Sequence, residues 1–146
     1  MNNNKKFYFT NLIQVAKNQE ILDRFIALEI LNHLFIEKKM SSDFFLKNEI
    51  HLSKVRPEKL AHANRLAKSV IKNLPIIDHQ ISLLVKKRPS KVLLNILRIA
   101  TLEILIENIP PHASVDNAVK LAKIKMKDKY SVAFINAVLR SFSKKD

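Results

Sequence analysis

An all-α fold is what this sequence predicts, on three observations. Apolar residues recur three and four positions apart through most of the chain, the period of a helix that buries one face. Prolines fall at the borders of those periodic stretches, where helices start or stop. Glycine is absent, and tight hairpin turns favour glycine, so an all-β fold is disfavoured. With 146 residues, 47% of them apolar, the chain can bury one ordinary core. No internal repeat or linker divides it, so the expectation is one domain of about seven helices joined by short connections.

The stretch from Pro89 to Asn108 is the expected centre. Of the residues from Val92 to Ile106 only Asn95, Arg98, Thr101 and Glu103 are polar, and a helix apolar on nearly every side is a buried one. Arg98 and Glu103 interrupt the run too early for a membrane span. Pro89 suits the first helical turn, and Asn108 with Pro110 and Pro111 marks the end. Leu97 and Ile104, seven residues apart, are both expected in the core.

The other elements follow in order. Residues 1–17 read as a flexible tail, with Phe7, Tyr8 and Phe9 as its apolar part, and 18–146 as the folded domain. A helix over Gln19 to Lys39 is marked by Ile21, Leu22, Phe25, Ile26, Leu28 and Leu31, with Asp23, Arg24, Glu29, Asn32 and His33 at polar positions. Ser41 or Ser42 caps a short helix reaching Asn48, and His51 to Arg56 reads as a loop. Pro57 opens a helix to about Asn73. Pro75 breaks it, and a helix over Ile76 to Lys87 directs Ile77, Ile81, Leu84 and Val85 inward. After the central helix and the Pro110-Pro111 bend, Ser114 is the expected N-cap of a helix buried through Ala118 and Ala122. The last helix, Tyr130 to Phe142, buries Ile135, Val138, Leu139 and Phe142, with Phe134 on the same face.

Composition excludes several function classes. The absence of cysteine removes disulfides, thiolate metal sites and a thiol nucleophile. Phosphate-cradling and dinucleotide-binding turns need glycines that this chain lacks. His33, His51, His62, His79 and His112 never fall four apart, and no carboxylate joins them at metal-ligand spacing, so no metal and no cofactor are expected. Asp23 and Glu29 do not share a helix face, which leaves no acid/base pair and argues against an enzyme. The stretch before Asn11 has no signal-peptide core, so a cytoplasmic protein is expected.

The net charge is +13, which points to an anionic partner, nucleic acid ahead of a membrane surface. A lysine-rich coding bias accounts for the same number. The sharpest basic stretch holds Lys120, Lys123, Lys125, Lys127 and Lys129, opposed by Asp128 and followed by Tyr130 and Phe134. Lysines beside aromatics are what single-stranded RNA binding uses, cations for phosphates and rings for bases. The lysines also read as a solvated helix end, and Phe134 as core. Lys123, Lys125, Lys127 and Lys129 converge only if their helix ends near Met126 and the next turn brings Lys127 and Lys129 beside Tyr130. Lys86, Lys87, Arg88 and Lys91 form a second basic group, read as cations at a helix C-terminus. Arg24 is either paired with Asp23 or a glutamate, or exposed for RNA.

Four stretches together resemble the NusB family: Leu97-Arg98-Ile99-Ala100 with Glu103; Ile109-Pro110-Pro111-His112-Ala113; Ala118-Val119-Lys120-Leu121-Ala122-Lys123; and Phe134-Ile135-Asn136-Ala137-Val138-Leu139-Arg140. Arg24 to Leu31 is similar to the family's first helix. The resemblance implies two packed helical subdomains and RNA binding without catalysis. It implies RNA-facing roles for Arg24 and Phe134, and structural roles for Arg98 and Asn136, the latter as a helix-to-loop contact. The Asn136 amide is accordingly expected on backbone groups of the bend between Ile109 and Ala113. Asp116-Asn117 departs from the family's Asn-Glu, and Lys17 is the nearest cation upstream of Arg24, where the family carries a basic cluster.

The family has two branches: transcription antitermination factors that bind a boxA-type RNA with a small-subunit ribosomal protein, and N-terminal domains of ribosomal RNA cytosine-5 methyltransferases. The leading expectation is a factor of the first kind. Its partners would be ribosomal leader RNA or ribosomal RNA, a small-subunit ribosomal protein and the transcription machinery, with no membrane. The alternatives are a detached RNA-binding domain of a methyltransferase system, since no methyl-donor domain follows Asp146, and a helical protein-interaction module whose charge is compositional.

Overall fold

The structure is a computed structural model that describes residues 19–143. The expected tail over 1–17 lies outside them. The described residues form eight helices: α1 (Gln19–Phe35), α2 (Ser41–Lys47), α3 (Glu49–Leu52), α4 (Pro57–Lys72), α5 (Leu74–Leu84), α6 (Lys91–Leu105), α7 (Pro111–Lys125) and α8 (Lys129–Ser143). There is no strand among them, as expected for an all-α fold, and no helix long and apolar enough to cross a membrane. α6, α7 and α8 pack on one another; α1 packs on α2 and α4, and meets α6 and α7 to join the two groups.

α6 is the buried helix the sequence marks, with every residue from Leu93 to Glu103 in the core. It is not the only centre. α1 is buried from Ile21 to His33 except at Arg24, so its polar residues do not form a solvent face. A buried polar group needs a partner, and each has one on another helix. Asp23 meets His62 of α4, Glu29 meets Lys125 of α7 at 2.7 Å, Asn32 accepts from Asn95 of α6 at 2.8 Å, and His33 Nε2 lies 2.9 Å from Asp43 of α2. These pairs fix the register of the helices around α1. Leu97 is fully buried, but Ile104 is only half-buried, because α6 leaves the core over its last turn.

Several helix ends differ from the expected ones, each for a local reason. α1 stops at Phe35: Lys38 turns left-handed (φ 58°) and the Lys39 N–H donates to the His33 carbonyl. α6 and α7 end on similar turns, with Asn108 (φ 57°) and Lys127 (φ 56°) left-handed. Glycine would normally take such positions, and the chain has none. Left-handed backbone costs a residue with a Cβ roughly 1–2 kcal/mol. Lys38→Gly is therefore expected to stabilise the fold by about 0.5–1 kcal/mol, after the extra unfolded-state freedom of glycine is subtracted. A urea midpoint at or below wild type would contradict this.

The remaining differences are at helix starts and in one connection. α2 starts at Ser41 behind Met40, without a serine side-chain cap. The expected loop over His51 to Arg56 begins instead inside α3, whose Leu52 is buried. Pro75 lies in the first turn of α5, where its missing N–H costs nothing. Pro89 precedes α6; the cap is Ser90, whose Oγ accepts from the Leu93 N–H. Ser114 does not cap α7, since Pro111 already provides the first-turn geometry and Ser114 is fully buried inside the helix.

Candidate nucleic-acid interface

The helix before Lys86 ends earlier than its sequence implies, and this shapes the site. α5 stops at Leu84, and Val85 is extended (φ −115°, ψ 138°). Pro89 disfavours helical geometry at Arg88, so Lys86, Lys87 and Arg88 cross as an exposed connection to α6. They do not serve as the C-terminal cations of a helix.

Facing that connection is the start of α8. Asp128 opens the helix: its two carboxylate oxygens accept from the Ser131 N–H at 2.7 Å and the Ser131 hydroxyl at 2.9 Å. Tyr130 and Phe134 follow one turn apart, with ring centroids 6.4 Å apart and planes within 15°. Tyr130 is 76% exposed, while Phe134 is half-buried. Between the two sides runs an open groove of about 800 Å³, lined by Lys86, Lys87 and Arg88 on one wall and Tyr130 and Phe134 on the other, with Leu93, Met126 and Val138 also lining it.

The four lysines of the basic stretch separate. α7 does end at Lys125, with Met126 as its C-cap and Lys127 in the turn. Lys127 and Lys129 are exposed beside the groove-lining Met126, Asp128 and Tyr130, and Lys123 is exposed on α7. Lys125 is taken inside. Its Nζ lies 2.7 Å from Glu29, with the two side chains 8% and 2% exposed, and 6.0 Å from the centre of the Phe25 ring. It belongs to the α1–α7 contact and not to the lysine edge.

Arg24 is held at the other end of α6. Its Nε and Nη2 donate to the Glu103 carboxylate at 3.0 and 2.7 Å, and Asp23 lies 3.6 Å from Nη1. Desolvation opposes the charge on Arg24, but the Glu103 hydrogen bond and the carboxylates of Glu103, Asp23 and Glu107 outweigh it and raise its pKa. Burial pushes Glu103 up in turn, against the pull of Arg24. Glu103 is ten residues along α6 from groove-lining Leu93, roughly 15 Å of helix. Arg24 therefore does not line this groove.

Arg98 and Asn136, for which structural roles were expected, differ in outcome. Arg98 donates to Asp78 through Nε and Nη2, both at 2.8 Å, and to Asn95 Oδ1 at 2.9 Å, and its guanidinium lies 5.0 Å from the Phe35 ring centre. With the Asn95–Asn32 bond this makes a continuous chain from α1 through α6 to α5. Asn136 departs from expectation: its Oδ1 accepts from Arg140 Nε at 2.8 Å, one turn along α8, and not from the bend at Ile109 to Ala113. The i, i+4 spacing puts that donor on the same side of α8. Among the described residues no cluster of three His, Asp or Glu side chains forms a metal site.

The basic wall was the part of the groove that sequence reasoning assigned elsewhere. The one signal was Pro89, which disfavours a helix continuing through Arg88.

The NusB family model matches residues 21–144. The chain is 38% identical over 109 residues to the transcription antitermination protein NusB of Pseudothermotoga lettingae, covering 71% of this chain and 76% of that one. It is 34% identical over 129 residues to the NusB of Clostridium perfringens, covering 88% and 87%, and 36% identical over 121 residues to that of Clostridium tetani, covering 80% and 74%. An all-helical fold, a family match across nearly all of the described residues and relatives aligned over most of their length agree: the chain belongs to the NusB family.

Proposed function

We propose that this protein is a non-catalytic, RNA-binding transcription antitermination factor acting on ribosomal RNA transcription, and that it holds single-stranded RNA in the groove between α5 and α8. The observation that carries the reading is the pairing of walls: three cations on one side, and exposed Tyr130 stacked on half-buried Phe134 on the other. Cations meet phosphates, and ring faces accept unstacked bases. Lys127 and Lys129 extend the positive charge at the rim. The relatives' shared name supports antitermination over the detached methyltransferase domain. A small-subunit ribosomal protein and the transcription machinery are the proposed protein partners, and the cytoplasm the proposed location.

The test is a salt titration of a single-stranded ribosomal leader RNA fragment, read by fluorescence anisotropy. Each phosphate contact contributes about 0.7 to the slope of log affinity against log salt. Replacing Lys86, Lys87 and Arg88 by alanine is expected to flatten the slope by up to about 2. Tyr130→Ala is expected to weaken binding by about 1–3 kcal/mol and to leave the slope nearly unchanged. Lys125→Ala serves as the control: it lowers the melting temperature without changing the slope. Wild-type affinity and slope in the triple variant and in Tyr130→Ala would contradict the proposal.

A further inference from the structure

A second exposed surface has a different chemistry. On α2 and α3, Phe44, Asn48 and Leu52 are buried at four-residue spacing, and the bonds Asn48 N–H to Phe44 O and Leu52 N–H to Asn48 O carry that course across the junction. Leu46 and Ile50 lie one turn apart on the outward side, 72% and 74% exposed, and Met40 just before α2 is 73% exposed. Two large aliphatic side chains this exposed and one turn apart, with Met40 shortly before them, make this face a candidate interaction surface.

The surface is mixed in charge with a small positive excess, four lysines against Glu37, Asp43 and Glu49. Lys38, Lys39, Lys47 and Lys54 are all exposed. Asp43 is shared: it meets His33 Nε2 at 2.9 Å and Lys47 Nζ at 3.4 Å. The Lys39 amine lies against that of Lys47, which pushes the Lys39 pKa down. None of these residues lines the α5–α8 groove.

We propose that the outward face of α2 and α3 docks an acidic amphipathic helix of a partner protein. Met40, Leu46 and Ile50 meet its apolar stripe, and Lys39 and Lys47 meet its carboxylates. The aliphatic chemistry separates this face from the groove, because Met, Leu and Ile offer no ring for a base to stack on. A membrane surface fits less well: interfacial helices are long amphipathic segments, and here the helices have seven and four residues. Exposed Glu49, between Leu46 and Ile50, also opposes an anionic bilayer and fixes where a basic residue of the partner sits.

The experiment uses the full-length protein and a fluorescent synthetic helix of about four turns with leucines at i, i+3, i+4 and i+7, glutamates elsewhere and one lysine to meet Glu49. Vesicles of phosphatidylcholine with phosphatidylserine, and oligouridine, form the other arms. The acidic helix is expected to bind. Leu46→Ser with Ile50→Ser, and separately Lys39→Glu with Lys47→Glu, are expected to weaken it about tenfold or more. Both double variants should stay folded, with melting temperatures close to wild type, and keep the wild-type salt slope for leader RNA. Failure of the acidic helix to bind overturns the proposal, as does binding that neither pair of substitutions changes. Vesicle or oligouridine binding that those substitutions abolish, in place of helix binding, overturns it equally.

Discussion

Leu97→Ala lowers the free energy of unfolding by about 2–5 kcal/mol, the range for emptying a fully buried leucine site. Leu97 is completely buried at the middle of α6, and α6 packs against α1, α4, α5, α7 and α8. A cavity there is bounded by several helices that are tied to one another by Arg98–Asp78, Asn95–Asn32 and Lys125–Glu29. Such cross-links hinder collapse into the void, so the cost belongs toward the upper half of the range. Ile104→Ala costs less, because Ile104 is half-buried where α6 leaves the core. Urea denaturation of both variants checks the order; a loss below roughly 1 kcal/mol for Leu97→Ala would mean that α6 is not the packed centre.

Arg24→Ala is expected to cost about 3 kcal/mol near neutral pH, since it strips the partner from a buried carboxylate. The loss depends on pH, and its sign follows from Glu103. Burial already raises the Glu103 pKa, and Arg24 is the group that pulls it back. Without Arg24 the folded-state value rises further above the unfolded one. An acid raised in the folded state contributes stability that is present below its unfolded pKa and lost as pH rises through the folded value. The destabilisation is therefore smaller at about pH 5 than at about pH 8. Glu103→Gln in the Arg24→Ala background should remove most of that difference. An equal or larger loss at the acidic pH would contradict the assignment.

These two residues also show what the sequence made legible. Leu97 sits in an apolar run whose burial is forced whatever packs around it, so its place follows from the run alone. Arg24 does not yield to that logic: its choice between solvent, RNA and a carboxylate depends on Glu103, far along the chain, and periodicity carries no information about that distance. The same holds for α1, whose Asp23, Glu29, Asn32 and His33 read only as polar positions until partners on other helices are in place. Lys125 was drawn into the core by Glu29 for the same reason. In the groove, Tyr130 and Phe134 were legible as an aromatic pair next to a helix end. Their opposing wall depended on α5 stopping at Leu84, three residues before the expected end at Lys87.

Single-stranded RNA is proposed to lie between the Lys86–Arg88 connection and the Tyr130–Phe134 step. The most direct measurement is a heteronuclear NMR titration of the full-length protein with a ribosomal leader RNA fragment. The groove account predicts that the largest shifts fall on Lys86, Lys87, Arg88, Tyr130, Ser131 and Phe134, with smaller ones at Lys127 and Lys129. Shifts concentrated around Arg24, His62 and Glu103, with the groove signals unmoved, would contradict it.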